Sequence, residues 1–260
     1  MTTKRRVQQQ PAFILHHRPF RDTSQLLDVI SRDYGKLTLV ARGSRTARSR
    51  LRGLLRPFLP LRLSWVISSD LGTLTGAEID DTPLTLNGDV LLSGYYLNEL
   101  LLNFLHRHDP QPDIFAAYRH AVTQLCRTDD PAPRLREFEI DMLRLLGYAL
   151  NLEFEASTNE LLDTDEFYEY RVEQGPVRVA RQHGTMVFSG STLQGIHQQR
   201  FDDPVIQRAA GRLLREVITY HLDGKELKSR KVLLDLRRAK LVGRHGDIDG
   251  VPASTHAEPH

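Results

Sequence analysis

Lys36-Leu37-Thr38-Leu39-Val40-Ala41-Arg42-Gly43-Ser44-Arg45-Thr46-Ala47-Arg48-Ser49-Arg50 begins as a strand and ends as a basic loop. Leu37, Leu39 and Ala41 share one face at the two-residue period of a pleated strand. Past Arg42 apolar residues thin out and small and charged residues replace them, which ends the strand. Leu61-Arg62-Leu63-Ser64-Trp65 resumes the alternation on the far side. Residues 34–69 contain no Asp or Glu but hold Lys36, Arg42, Arg45, Arg48, Arg50, Arg52, Arg56 and Arg62, a local +8 in a chain of net charge +2. A basic loop of small residues hung between two strands of one sheet is a candidate phosphate-binding surface. The plainer alternative is a solvated loop whose arginines bind nothing in particular. An acid-free window of this length in a near-neutral chain favours nucleic-acid contact.

Outward from this stretch, residues 12–17, 24–31, 36–42, 58–67 and 73–79 read as five strands. Asp33-Tyr34-Gly35 and Asp70-Leu71-Gly72 supply turn residues between them. Residues 26–30 satisfy a helical period equally well. Five short strands with one long loop after the third predict a small closed barrel of the OB type. Residues 1–10 are polar and are expected to be loose.

After Asp80-Asp81-Thr82-Pro83 the period becomes helical. Residues 89–107 predict a buried helix through Leu92, Tyr96, Leu100 and Leu101. Asp113 is expected to cap a second, with Ile114, Tyr118, Ala121, Val122 and Leu125 inward. Residues 134–146 form a third, with Leu135, Phe138, Met142 and Leu145 inward and Gly147 as its stop. Residues 151–173 are the electrostatic counterweight, eight acids against Arg171 alone. A divalent-cation loop needs regularly spaced oxygens and a turn-making glycine, so these scattered acids read as a solvated acidic face. Residues 177–180 and 185–188 predict a hairpin, Ser191 the cap of a short helix, and Asp203-Pro204 the start of a helix with Ile206, Ala210, Leu213, Val217 and Tyr220 inward. A basic helix over 229–240 and a disordered tail from 243 complete the chain.

Hydrophobic content of 40% and charged content of 26% are those of a globular protein. No apolar run reaches the roughly 18 residues of a membrane span, and the basic amino terminus lacks the apolar core of a signal peptide. A cytoplasmic location is expected. The single cysteine, Cys126, excludes an internal disulfide and a zinc site built on paired thiolates. The common nucleotide, hydrolase and zinc-protease motifs are missing. His16-His17 and His106-Arg107-His108-Asp109 have no third ligand nearby in sequence. No enzyme, no cofactor and no metal is expected.

Several segments together resemble the RecO family of bacterial recombination mediators. They are Ala12-Phe13-Ile14-Leu15-His16-His17-Arg18-Pro19-Phe20, Thr23-Ser24, Tyr34-Gly35-Lys36, Leu39-Val40-Ala41-Arg42-Gly43-Ser44-Arg45 and Leu54-Leu55-Arg56-Pro57-Phe58. Further along come Tyr96-Leu97-Asn98-Glu99-Leu100-Leu101, Leu135-Arg136-Glu137-Phe138-Glu139, Leu146-Gly147-Tyr148 and Leu222-Asp223-Gly224-Lys225-Glu226-Leu227-Lys228-Ser229-Arg230. Each is weak alone; their shared order over residues 12–235 is specific.

The resemblance implies an α+β multidomain chain: an OB-fold domain over 1–80, a helical domain over 81–150, a zinc-finger-like region over 151–200, helices over 201–242 that complete the helical domain, and a tail over 243–260. Many family members bind zinc through cysteines in the third region. Here Asn151, Glu153 and Glu155 stand after Leu146-Gly147-Tyr148, so the chain resembles members that have lost the metal. The implied function is DNA repair and recombination: binding single- and double-stranded DNA, annealing complementary strands and, with RecR, helping RecA replace single-strand-binding protein. Lys36, Arg42, Arg45, Arg48, Arg50, Arg52, Arg56, Lys228 and Arg230 are the candidate DNA contacts. The acidic, apolar-ended tail of single-strand-binding protein docks on the helical domain in such proteins, and Arg136, off the apolar stripe of its helix, is the candidate contact. Its alternative role is pairing with Glu137 or Glu139. Aromatics near the amino terminus are few (Phe13, Phe20, Tyr34, Phe58 and Trp65), so binding should be mainly electrostatic. The competing reading is an RNA-binding OB protein of translation or ribosome assembly; a metal-dependent nuclease using the acids of 153–173 is a third.

Overall fold

Strand β1, Arg5–Phe20, is sixteen residues long and buried on both sides from Pro11 to Leu15. In the computed structural model, which describes residues 5–67, 71–180 and 183–232, this double burial sorts side chains by parity. Ala12 and Ile14 enter one core, while Phe13 and Leu15 enter another. Register shifts between Val7 and Gln10 and between Ile14 and His16 bend the strand, so that one length pairs with β2 (Ser24–Ser31) and another with a strand far along the chain.

The first core fills a closed barrel. With β3 (Gly35–Ala41), β4 (Leu61–Ile67) and β5 (Leu71–Ile79), the strands run in the order β1-β2-β3-β5-β4, and β4 closes back on β1. All neighbours are antiparallel except β3 and β5, which are parallel. This is the five-stranded OB-like arrangement. Leu27, Val29, Leu37, Leu39, Leu61, Leu63 and Trp65 fill it, and Leu55 and Leu59 from the loop before β4 add to the same cluster.

Helices form the second core. They are α1 (Gly88–Phe104), α2 (Pro112–Leu125), α3 (Ala132–Leu145) and, after a three-stranded sheet, α4 (Gly190–His197) and α5 (Pro204–His221). The sheet comprises β6 (Phe167–Arg171), β7 (Gly175–Arg178) and β8 (Val187–Ser189) in the order β7-β6-β8. α2 buries Ile114, Tyr118, Ala121, Val122 and Leu125, the stripe its period predicts.

The barrel and the helices are joined by hydrogen bonds as well as by Phe13 and Leu15. Asn98 of α1, 2% exposed, donates to the Leu15 carbonyl at 2.8 Å and accepts from the Tyr118 hydroxyl at 2.6 Å. Lys36 Nζ donates to the Leu102 carbonyl at 2.8 Å, and the His108 N–H donates to the Lys36 carbonyl at 2.9 Å. Gly35 is needed here twice over. Its φ is +64°, and a Cβ would lie 2.0 Å from the Asp109 carbonyl oxygen.

Several sequence expectations are corrected. Residues 5–10 are part of β1, because pairing with β4 supplies partners that a polar stretch cannot advertise. Leu71 and Gly72 belong to β5, whereas Asp70 lies outside the described residues. β4 starts at Leu61; Phe58, at φ +68°, instead packs edge-on against Tyr95 at 5.3 Å. Asp113 sits in the first turn of α2 but does not cap it, and Ser189, not Ser191, caps α4 through the Thr192 N–H at 3.2 Å. β7 and β8 do not form a hairpin: β6, hidden in the acidic segment, lies between them. Leu145 is half-buried, and Tyr220 faces outward at 51% exposure. Asp203 caps α5 as expected, accepting from the Val205 N–H at 2.7 Å. Residues 228–232 are helical; the remainder of the helix expected over 229–240, and the tail, lie outside the described residues.

Replacing Asn98 by Ala would orphan the Leu15 carbonyl and the Tyr118 hydroxyl inside the core. The expected loss is roughly 1–3 kcal/mol for each group left unpartnered. Urea unfolding of the whole chain measures it, and an unchanged midpoint would show that the latch is not needed.

Candidate nucleic-acid interface

The chain between β3 and β4 is an ordered loop built from successive tight turns. Ser44, 4% exposed, anchors its start by donating to the Ala41 carbonyl at 2.9 Å, with Gln25 Oε1 as an alternative acceptor at 3.2 Å. The Arg45 N–H donates to the Thr23 carbonyl at 2.9 Å, which ties the loop to the β1–β2 turn. Backbone bonds Thr46 to Gly43, Ser49 to Thr46, Arg52 to Ser49 and Leu54 to Leu51 then span three residues each. Buried Leu55, Phe58 and Leu59 pin the far end.

With Leu55, Phe58 and Leu59 buried, this loop turns its arginines outward. Arg42, Arg45, Arg48, Arg50, Arg52 and Arg56 are all exposed. Arg45 Nη1 reaches the Arg21 and Asp22 carbonyls at 3.4 Å, and none of the six is ion-paired to a carboxylate among the described residues. Arg62, by contrast, is paired with Asp80 at 2.5 Å. The surface is therefore an uncompensated cationic patch on a fixed backbone, suited to phosphate oxygens. Arg21, beside the loop and not singled out from the sequence, belongs to the same surface; its guanidinium lies 5.2 Å from the centre of the Phe20 ring.

Aromatic stacking has little to offer here. Phe13, Phe58 and Trp65 are core residues with at most 4% exposure. Phe20 and Tyr34 are half-buried, and Tyr34 lies beneath Arg5 at 5.2 Å.

Three other candidate contacts lie elsewhere. Lys36 is engaged between barrel and helices, and burial with Arg107 nearby lowers its pKa. Lys36, one of the expected DNA contacts, thus has its ammonium held by the Leu102 carbonyl instead of turned outward with the loop arginines. Lys228 and Arg230 start the last helical stretch, where the Glu99 carboxylate accepts from the Lys228 and Ser229 N–H groups at 2.9 and 2.8 Å. The Lys228 side chain is exposed, whereas half-buried Arg230 lines a pocket in the helical region.

That pocket, about 390 Å³, also holds Arg136 and the α5 arginines Arg208, Arg212 and Arg215. Their spacing of four and three places them along one face of α5, a signal present in the sequence and not used. Arg136 pairs with Glu139 at 2.7 Å, while Glu137 is taken by Arg134 at 2.6 Å, which decides between its two possible partners. Glu139 is fully buried and accepts from the Tyr96 hydroxyl at 2.5 Å; its other oxygen has no hydrogen-bond partner among the described residues. Five arginines line the pocket, and the buried Glu139 carboxylate feels only Arg136, Arg230 and Arg215, so the pocket is complementary to an anion. Tyr96, Ala132 and Leu135 supply apolar wall.

The segment after Gly147 does not fit a zinc ion. Structural zinc needs converging thiolate or imidazole donors. Asn151 instead donates to the Phe154 carbonyl at 2.8 Å and accepts from the Phe154 N–H at 3.1 Å. Glu155, 8% exposed, accepts from Ser157 Oγ at 2.9 Å and faces Arg178 at 3.8 Å. Among the described residues no group of three or more His, Cys, Asp or Glu converges on a point, and no helix is long and apolar enough to cross a membrane.

Comparison with known proteins agrees with this architecture. Residues 5–83 match the family described as Recombination protein O N terminal, and residues 86–231 match Recombination protein O C terminal. The chain is 42% identical over 240 residues to a DNA repair protein RecO of Nitrosococcus oceani, covering 92% of this chain and 98% of the relative. It is 41% identical over 243 residues to the DNA repair protein RecO of Dechloromonas aromatica, covering 91% and 99%. Against that of Photobacterium profundum the identity is 38% over 235 residues, covering 90% and 98%.

Burial raises the Glu139 carboxyl above its ordinary 4.5, opposed by Arg136 and the Tyr96 hydroxyl. The folded state thus holds the Glu139 proton more tightly than the unfolded chain does. This contribution to stability is complete below pH 4.5 and is lost as pH rises through the folded value. Glu139→Gln removes the titration. Melting curves from pH 4.5 upward should show the variant losing less stability than the parent; parallel losses would contradict this assignment.

Proposed function

We propose that this chain, which belongs to the RecO family of DNA repair proteins, is a non-enzymatic mediator that holds DNA through its barrel loop and receives an acidic protein tail in its helical pocket. The observation that carries the reading is the row of six exposed arginines, without carboxylate partners among the described residues, on a loop anchored at both ends. Phosphate contacts position a strand without reading its bases. Such a surface screens two backbones, single- or double-stranded, and leaves base edges free to pair, which is the physical requirement for annealing. The scarcity of exposed aromatics fits binding without sequence preference.

The second half of the proposal concerns protein partners. The arginine pocket, with Tyr96 and Leu135 as apolar wall, matches the tail of single-strand-binding protein, acidic residues ending in an apolar residue and a free carboxylate. Docking on that tail would bring the barrel loop to coated single strands in the cytoplasm, at the nucleoid. There, with RecR, the protein would help RecA replace the coat.

Substituting Arg42, Arg45, Arg48 and Arg50 together by Ala should weaken binding to every sequence alike. The slope of log affinity against log salt should flatten by about 0.7 per lost phosphate contact on single strands. Fluorescence anisotropy over a salt series measures both, with structured RNA as comparison; an unchanged slope excludes the loop. Independently, Arg136→Glu should abolish binding of the tail peptide while annealing of naked strands stays near normal. Loss of both activities would mean a damaged fold, and loss of neither would place the tail elsewhere.

A further inference from the structure

Three carboxylates unused by the proposed function meet at one cleft. Glu173, Glu216 and Asp223 rim a cavity of about 820 Å³ walled by Tyr148, Tyr220 and His221. The Tyr148 ring stacks on the His221 imidazole at 4.1 Å and 27°, and Tyr220 meets the same imidazole edge-on at 5.4 Å. Both tyrosines remain open to solvent, 43% and 51% exposed. The Tyr220 hydroxyl donates to Glu173 Oε2 at 3.0 Å, which fixes that carboxylate beside the rings.

No lysine or arginine lines this cleft, and none of its three carboxylates is ion-paired among the described residues. His221 does not supply the missing cation near neutral pH, because burial lowers its pKa below 6.5 in spite of Glu173. Exposed aromatic faces beside uncompensated carboxylates are complementary to a flat, weakly hydrated cation. They are the wrong chemistry for a nucleic acid, whose phosphates they would repel.

We propose that this cleft receives an arginine side chain from a basic segment of a partner protein. The guanidinium lies against the exposed tyrosine faces and donates to Glu173 and to Glu216 or Asp223. α5 then serves two partners of opposite charge. Arg208, Arg212 and Arg215 line the anion pocket, whereas Glu216 and Tyr220, four residues apart, line the cation cleft. The two sites are separate and can be filled together.

The test uses the full chain and a fluorescent peptide of alternating glycine and arginine, read by anisotropy, beside versions carrying lysine or the neutral isostere citrulline. Glu173→Gln and Tyr148→Ala should each weaken arginine-peptide binding at least fivefold. Glu160→Gln, an exposed acid outside the cleft, should leave it unchanged. The citrulline peptide should not bind, and the lysine peptide should bind several-fold more weakly. Equal losses in the Glu160 and Glu173 variants would reduce the effect to diffuse attraction and overturn the site. Parent-like affinity in both cleft variants, or equal affinity for lysine, would overturn it as well. Should Tyr148→Ala melt early, Glu216→Gln replaces it under the same criteria.

Discussion

A strand buried on both faces holds the molecule together. The centre of β1 places Ala12 and Ile14 in the barrel and Phe13 and Leu15 among the helices. Fully burying a side chain the size of Phe or Leu contributes about 1.5–3 kcal/mol, so Phe13 and Leu15 contribute strongly to binding the helices to the barrel. A strand so placed shows water neither face, and its backbone must be satisfied by β2 and β4. Asn98 completes the join by satisfying the Leu15 carbonyl where the ladder is irregular. The barrel loop and the arginine pocket therefore belong to one packed body.

Charge is sorted across that body. The barrel loop and the pocket between α3 and α5 are cationic, while the segment around β6 and the far side of α5 are anionic. A net charge of +2 conceals this arrangement. Like-charged arginines crowd together only where a buried carboxylate or backbone oxygens hold them. Glu139 does so for Arg136, and the Val187 carbonyl accepts from Arg212 at 3.1 Å. A pocket with excess cation and some apolar wall selects the end of an acidic peptide, and the aromatic cleft opposite selects the converse charge.

The segment after Gly147 closes its small loop with local hydrogen bonds. Asn151 bonds its own turn and Glu155 gathers nearby hydroxyl donors, so bonds from these side chains hold the turn in shape. β6 and its neighbours then build a sheet against α4 and α5 through buried Tyr168, Tyr170 and Phe188. Part of the acid that makes this segment conspicuous is paired locally, with Arg178 between Glu155 and Glu166 and Arg171 beside Glu169.

Local chemistry was legible in the sequence. Alternation found the barrel strands, helical period found the α2 stripe, and Asp203-Pro204 marked the start of α5, because period and capping are properties of a few consecutive residues. The basic loop was legible for the same reason: a run of small residues and unbalanced arginines stands out over a few consecutive positions. Tertiary structure alone decided the fate of groups whose surroundings come from distant residues. Lys36 became a link between barrel and helices because the Leu102 carbonyl accepts from its ammonium. Residues 5–10 became strand because β4 offered an edge, and β7 and β8 separated because β6 fitted between them. The anion pocket gathers Arg136, Arg208, Arg212, Arg215 and Arg230 from three stretches, and the cleft pairs Tyr148 with His221 across more than seventy residues. Long-range packing sets the solvation and charge partners of a side chain, and these determine what it does; sequence spacing carries neither.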